Sequence, residues 1–227
     1  MPKFLSGNAL KILAAIFMTI DHIGVMLFPR VEILRIIGRL ALPIYAFMIA
    51  EGCKYTRNKK KYFGMVFGLG AVCQIVYYLF DGSLYFSILI TFSLSILMIY
   101  ALQYWKQKKT ALSGLVFAAA VIATYLLNQR LTIDYGFWGC MLPVFAALPH
   151  GTDQDRLGMN TTMLGVGLIF LGLSTDAIQC LALLALPLLY AYNGKRGKLN
   201  LKYFFYIFYP THLVLLEGIA MLMHYLK

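Results

Sequence analysis

Residues 9–28 read ALKILAAIFMTIDHIGVMLF, and the class of the fold follows from this stretch. A hydrocarbon core takes roughly 20 apolar residues to cross, and this run is that long while still holding Lys11, Asp21 and His22. It lacks a small-residue cleavage site, so a retained transmembrane helix is expected rather than a cleaved export signal.

Outward from this helix the same pattern recurs. Apolar runs predict helices at 9–28, 33–53, 61–80, 84–105, 111–127, 134–149, 158–174, 176–192 and 203–225. The breaks between them are Pro29-Arg30, Lys54 to Lys61, Asp81-Gly82, Lys106 to Lys109, Asn128 to Arg130, Pro149 to Arg156, Ser174 to Asp176 and Asn193 to Lys202. With 61% hydrophobic and 13% charged residues and a mean hydropathy of +0.74, the 227 residues have no room for a separate aqueous domain. The expected architecture is therefore an all-α polytopic membrane helix bundle of about nine transmembrane helices, one integral membrane domain over 1–227. The fifth to eighth runs are the shortest, and a re-entrant piece fits there as well as a span. Gly64 and Gly68, four apart in the third helix, have the spacing of a close helix contact.

The net charge of +11 would suggest nucleic acid in a soluble protein. Here the basic residues sit in the connections and form no basic face, which argues against nucleic-acid binding. Lys and Arg resist translocation, so their placement orients the bundle. With a cytoplasmic N-terminus, fifteen of the twenty fall inside, from Lys3 and Lys11 through Arg57 and Lys106 to Lys198 and Lys202. Arg30, Arg35, Arg130 and Lys227 fall outside and Arg39 within the second helix, which predicts an external C-terminus. Cys53, Cys73, Cys140 and Cys180 stand singly in apolar runs. They read as buried free thiols, with neither disulfide nor metal site indicated. There is no clear internal repeat of the kind common in transporters.

Ionisable groups inside a span are costly unless paired or wetted, so each is a functional candidate. Asp21 and His22 lie about seven residues from the far end of the first helix, roughly 10 Å deep. Arg39 enters the second helix at matching depth, so an Asp21–Arg39 pair is expected, structural or catalytic. His22 points elsewhere around the helix and is left for proton transfer. In the last helix Pro210 removes a backbone donor near His212, exposing carbonyls beside a second histidine that serves equally as a packing residue. Tyr135 is a weaker polar candidate, or an interfacial anchor. At the cytoplasmic end, Glu51-Gly52 with Tyr55-Thr56-Arg57-Asn58, and Asn193-Gly194-Lys195-Arg196-Gly197, combine glycine, amide and basic groups. Such sets suit phosphate or carboxylate recognition; topological charge explains them as well.

In combination these residues resemble the TraX family, bacterial membrane proteins named after the F-pilin acetylation protein. The likeness rests on Leu10-Lys11-Ile12 to Ile20-Asp21-His22-Ile23-Gly24, Ile37-Gly38-Arg39-Leu40-Ala41-Leu42-Pro43-Ile44 to Glu51-Gly52, Tyr55-Thr56-Arg57-Asn58, Tyr135-Gly136, Asn193-Gly194-Lys195-Arg196-Gly197, and Phe205-Tyr206 to Tyr209-Pro210-Thr211-His212-Leu213. The spacing of Lys11 and His22, eleven positions apart, is similar to the first helix of wider membrane acyltransferases, which usually carry arginine at the position of Lys11.

The resemblance implies an N-acetyltransferase of the bacterial inner membrane, using cytosolic acetyl-CoA and an amine acceptor such as a pilin N-terminus or another exported molecule. On that reading His22 is the base, Arg39 and His212 surround the developing negative charge, and Asp21 holds Arg39. Which of the two histidines is the base stays open. Lys11, Glu51, Arg57, Asn58, Asn193, Lys195 and Arg196 would bind acetyl-CoA. The competing reading is a small-solute transporter or membrane assembly factor in which the same groups relay protons or hold the bundle together.

Overall fold

The computed structural model describes residues 3–82, 84–149, 153–198 and 201–225. Among these it is helical, in the order α1 (Gly7–Met26), α2 (Glu32–Gly38), α3 (Ala41–Tyr55), α4 (Lys59–Asp81), α5 (Ile88–Lys108), α6 (Ala111–Asn128), α7 (Gly136–Ala147), α8 (Asp153–Ser174), α9 (Ala177–Cys180), a 3-10 turn Leu181–Ala185, α10 (Leu186–Tyr190) and α11 (Lys202–Tyr225). Part of the expected break at 149–156, the side chains of Phe205, Tyr206 and Lys202, and Lys227 lie outside the described residues.

Six segments are long and apolar enough to cross a membrane: Gly7–Met26, Glu32–Tyr55, Lys59–Leu79, Ile88–Lys108, Ala111–Asn128 and Asp155–Ser174. Three shorter apolar helices, Gly136–Ala147, Ile178–Tyr190 and Ile207–Met223, match the remaining runs. The chain is a multi-pass membrane protein. Its outer surface agrees: α6 buries only Ser113 and Thr124 among its residues and exposes Leu112, Leu115, Ile122 and Leu126, an apolar face that water would not tolerate at this size.

Local chemistry sets the helix ends. Ser6 caps α1 by accepting from the Ala9 amide, Asn58 caps α4 by accepting from Lys61, and Thr110 with Ser113 forms a capping box on α6. Gly82 ends α4 in the left-handed conformation. The second span differs from the continuous helix expected over 33–53, because it is broken at Arg39–Leu40 between α2 and α3. Pro43 explains the break: it offers no amide to the carbonyl of Arg39, and its ring crowds that turn.

The core is built from α1, α3, α5, α7 and α8, where Leu10, Phe47, Ile99, Leu142, Leu164 and Leu168 are fully enclosed. Connections alternate between two ends. At the end that holds the start of α1, Leu5 bridges Tyr192, Gly7 and Asn8 donate to the carbonyls of Lys195 and Arg196, and Lys106 donates to those of Ala147 and Leu148. At the far end Phe86 bridges Ile133. This matches the alternation read from the loops.

The small-residue contact lies elsewhere than the sequence suggested. A methyl group at Gly64 or Gly68 would meet nothing within 4 Å, because that face of α4 is exposed. At Gly38 it would run into the Asp21 side chain, so Gly38 is what lets α2 press against α1. Gly38→Ala is accordingly expected to lower stability by about 1–3 kcal/mol through overpacking. Gly64→Ala should be neutral or slightly stabilising. Thermal unfolding of the purified variants compares the two, and equal effects would remove Gly38 as the contact.

Candidate functional site

Two histidines from opposite ends of the chain meet inside the bundle. His22 Nδ1 lies 2.8 Å from the Met18 carbonyl oxygen, and His212 Nδ1 lies 3.0 Å from that of Phe208. A carbonyl can only accept, so each Nδ1 carries a proton and donates it, and each Nε2 presents a lone pair. The rings stand edge to face with centroids 5.1 Å apart. His212 also stacks on Phe208 at 5.1 Å and meets Tyr209 edge-on at 5.3 Å. Its Nε2 is buried and has no hydrogen-bond partner among the described residues.

Beside the pair runs a polar network at the far end. The expected Asp21–Arg39 bridge is not the one formed. Asp21 pairs with Arg35 at 3.5 Å, and Arg39 Nη1 donates to the Tyr135 hydroxyl at 3.1 Å. Arg35 stands one turn before Gly38, the residue against which Asp21 is packed, so it is the guanidinium on the contacting face. Arg39 lies just past the end of α2 and reaches across to α7. One oxygen of Asp21 and the Nε of Arg39 stay buried without a hydrogen-bond partner among the described residues, which leaves polar capacity next to the histidines. Asp134 completes this end by accepting from Tyr85 at 2.6 Å while its carbonyl accepts from Thr91.

From the opposite end a chamber of about 520 Å³ enters the bundle. Its mouth is formed by Gly7, Asn8, Lys11, Glu51, Tyr55 and Arg196. Met48, Val66, Leu69 and Phe92 make its apolar walls, and it ends against Tyr45, Phe208 and Tyr209. Phe208 and Tyr209 are the residues in ring contact with His212, so the inner end of the chamber abuts the histidine pair. The volume is that of a small-molecule site.

Of the seven residues expected to bind acetyl-CoA, Lys11, Glu51 and Arg196 line this chamber. The others sit beside it. Asn58 is occupied in capping α4, Arg57 is exposed on the connection before it, and Asn193 accepts from the Lys195 amide in the turn that docks on α1. The first amides of α1 are taken by the carbonyls of Lys195 and Arg196 and by Ser6. A helix N-terminus satisfied in this way presents side chains, not backbone, to an anion. Sequence reasoning missed Arg156, which donates to Glu51 at 2.7 Å with both side chains buried and lies 3.4 Å from the Tyr55 hydroxyl. It also missed Arg35 as the partner of Asp21. A charge next to an apolar run was the only signal for Arg156, and nothing in the spacing linked it to a residue 105 positions earlier.

The geometry defines a polytopic helical membrane protein with a basic-mouthed chamber leading to a buried histidine pair. Its relatives place it further: the model of the TraX protein family matches residues 6–220, and the chain belongs to that family. It is 28% identical to the probable fimbrial assembly protein FimC, serogroup H1, of Dichelobacter nodosus, over 93% of this chain and 94% of that one. It is 26% identical to protein TraX of Escherichia coli, over 94% and 87% of the two chains. An uncharacterized protein of Rickettsia prowazekii is 36% identical over 57% of this chain and 50% of its own. No solved structure matches.

The observed pairing separates Arg35 from Arg39 by experiment. In a double-mutant cycle, Asp21→Asn with Arg35→Met should show a coupling of about 1–3 kcal/mol, since a half-buried pair falls between exposed and fully buried bridges. Asp21→Asn with Arg39→Met should be closer to additive. The reverse order would restore the pair expected from the sequence.

Proposed function

We propose that the protein is a membrane N-acetyltransferase that takes the acetyl group of acetyl-CoA at the basic end of the bundle and delivers it to an amine at the histidine pair. The observation that carries this reading is the chamber, with Lys11 and Arg196 at its mouth and the wall of the His22–His212 pair at its end. Phosphates suit the mouth, where two basic side chains can give charge-assisted hydrogen bonds. From Lys11 to His22 along α1, eleven residues rise about 16 Å, within the reach of an extended thioester-bearing arm. A carrier would call for a second gate and usually for symmetry; a chamber basic at one end and walled by aromatic rings at the other favours an enzyme.

On this reading the amine nitrogen attacks the thioester carbonyl, a histidine Nε2 takes its proton, and the carbon–sulfur bond breaks. The thiolate leaves, takes that proton from the imidazolium, and departs as free CoA while the acceptor keeps the amide. His22 is assigned as base because its Nδ1–H is anchored to Met18 and its Nε2 lone pair is therefore available. Arg39 and His212 are assigned to stabilise the oxyanion. Asp21, held by Arg35, supports this end of the network rather than orienting Arg39 directly. The acetyl-CoA end is assigned to the cytoplasm, in keeping with the concentration of Lys and Arg there, in a bacterial inner membrane. The names of the relatives point to a fimbrial or pilin context, so a pilin amino terminus, or another exported amine, is the first acceptor to try.

Purified protein given labelled acetyl-CoA and a panel of amines tests this. His22→Ala should keep acetyl-CoA binding and lose transfer by about 100-fold to 10,000-fold. Lys11→Ala and Arg196→Ala should instead weaken acetyl-CoA binding by roughly tenfold or more, and exposed Arg57→Ala should do less. If His212→Ala abolishes transfer while His22→Ala does not, the two roles exchange. Wild-type protein that neither binds acetyl-CoA nor transfers from it would refute the assignment.

A further inference from the structure

The chamber mouth holds a charge of the wrong sign for an anion site. Glu51 lines it with Lys11 and Arg196, at the same depth as Lys11, since each lies four residues inside its helix end. The side chain is almost fully enclosed at 3% exposure, and Arg156, 7% exposed, holds one of its oxygens at 2.7 Å. The second oxygen, Oε2, is buried and has no hydrogen-bond partner among the described residues. An ionised carboxylate accepts several hydrogen bonds, and leaving a buried acceptor unmet costs free energy. A carboxylate built into the wall of a ligand chamber with one oxygen committed to a buried arginine and the other unmet is a hydrogen-bond acceptor awaiting a donor.

The partner can be narrowed by charge. Phosphate is excluded from direct contact with Glu51 by like-charge repulsion and is served by Lys11 and Arg196, which also line the mouth. The Glu51–Arg156 pair is neutral as a unit, so it calls for a neutral group with an N–H or O–H. The walls just beyond, Met48, Ile49 and Val66, are apolar and offer such a group no competing acceptor.

We propose that Glu51, positioned by Arg156, accepts a hydrogen bond from an amide N–H in the neutral linker of the acyl donor, the segment between its phosphates and its thioester. This rests on the acetyl-CoA reading given above and deepens it. Glu51 thereby sets the register of the linker: phosphates stay at Lys11 and Arg196, and the thioester is placed at the depth of Tyr209 and the histidines. Arg156 touches no ligand on this account and acts by holding Glu51.

The test changes the ligand first, so that it does not depend on a variant folding. Affinity of the full chain in detergent is measured for acetyl-CoA and for two analogues, each with one linker amide N–H replaced by an ester oxygen. One analogue is expected to bind wild-type protein about 10-fold to 100-fold more weakly than acetyl-CoA, the range for a hydrogen bond to a charged acceptor. In the double variant Glu51→Met/Arg156→Met, which removes both charges of the pair together, the same two ligands should bind within about twofold of each other. In Arg156→Lys the discrimination should shrink, a readout that a purely structural arginine would not move. Acetyl-pantetheine, which lacks the nucleotide, should retain the discrimination in wild-type protein; its loss there would assign Glu51 to the nucleotide and overturn the proposal. So would equal binding of both analogues and acetyl-CoA. Failure of wild-type protein to bind acetyl-CoA at all would refute the enzyme reading itself, a separate outcome.

Discussion

A charge surrounded by hydrocarbon has no solvent to fall back on, and the arrangement of this bundle follows from that constraint. Asp21 turns to Arg35, Arg39 to Tyr135, Asp134 to Tyr85, and Glu51 to Arg156. Three of these contacts join parts of the chain 49 to 105 residues apart, so the polar groups do the work of choosing neighbours that the apolar surfaces, as greasy outside as inside, cannot do. Packing then follows: Gly38 admits Asp21 against the backbone of α2, and the break after it, forced by Pro43, frees Arg39 to cross to α7.

The two ends of the molecule use this economy differently. At the far end the network leaves polar capacity on Asp21, Arg39 and His212 close to the ring pair. At the basic end the first amides of α1 are closed off by the 193–197 turn, and the chamber mouth is lined by side chains of both signs. Tyr209 and Phe208 stand between the ends and touch both the chamber and His212. Membership of the TraX family gives this arrangement its biological setting.

Much of this was legible in the chain. Span positions and their alternation followed from apolar runs interrupted by Pro, Gly and Lys, because those residues act locally. The convergence of His22 and His212 was readable as a pair of candidates, since an ionisable residue in a span is rarely idle. Partners were harder. Matching depth pointed from Asp21 to Arg39, but depth says nothing of azimuth, and the turn at Arg39–Leu40 put Arg35 on the contacting face. Asn58 caps α4, a role its position before Lys59 already allowed. Glu51 and Arg156 meet only in three dimensions.

The docking of the 193–197 turn on the start of α1 has a consequence for biosynthesis. The chamber mouth is shared between α1 and the connection that precedes α11. Until that connection is made, Lys11 faces a half-built opening, and the amides of Gly7 and Asn8 lack their carbonyl partners. The mouth is thus completed only once the 193–197 turn has docked, and a chain ending before residue 193 would carry His22 without it.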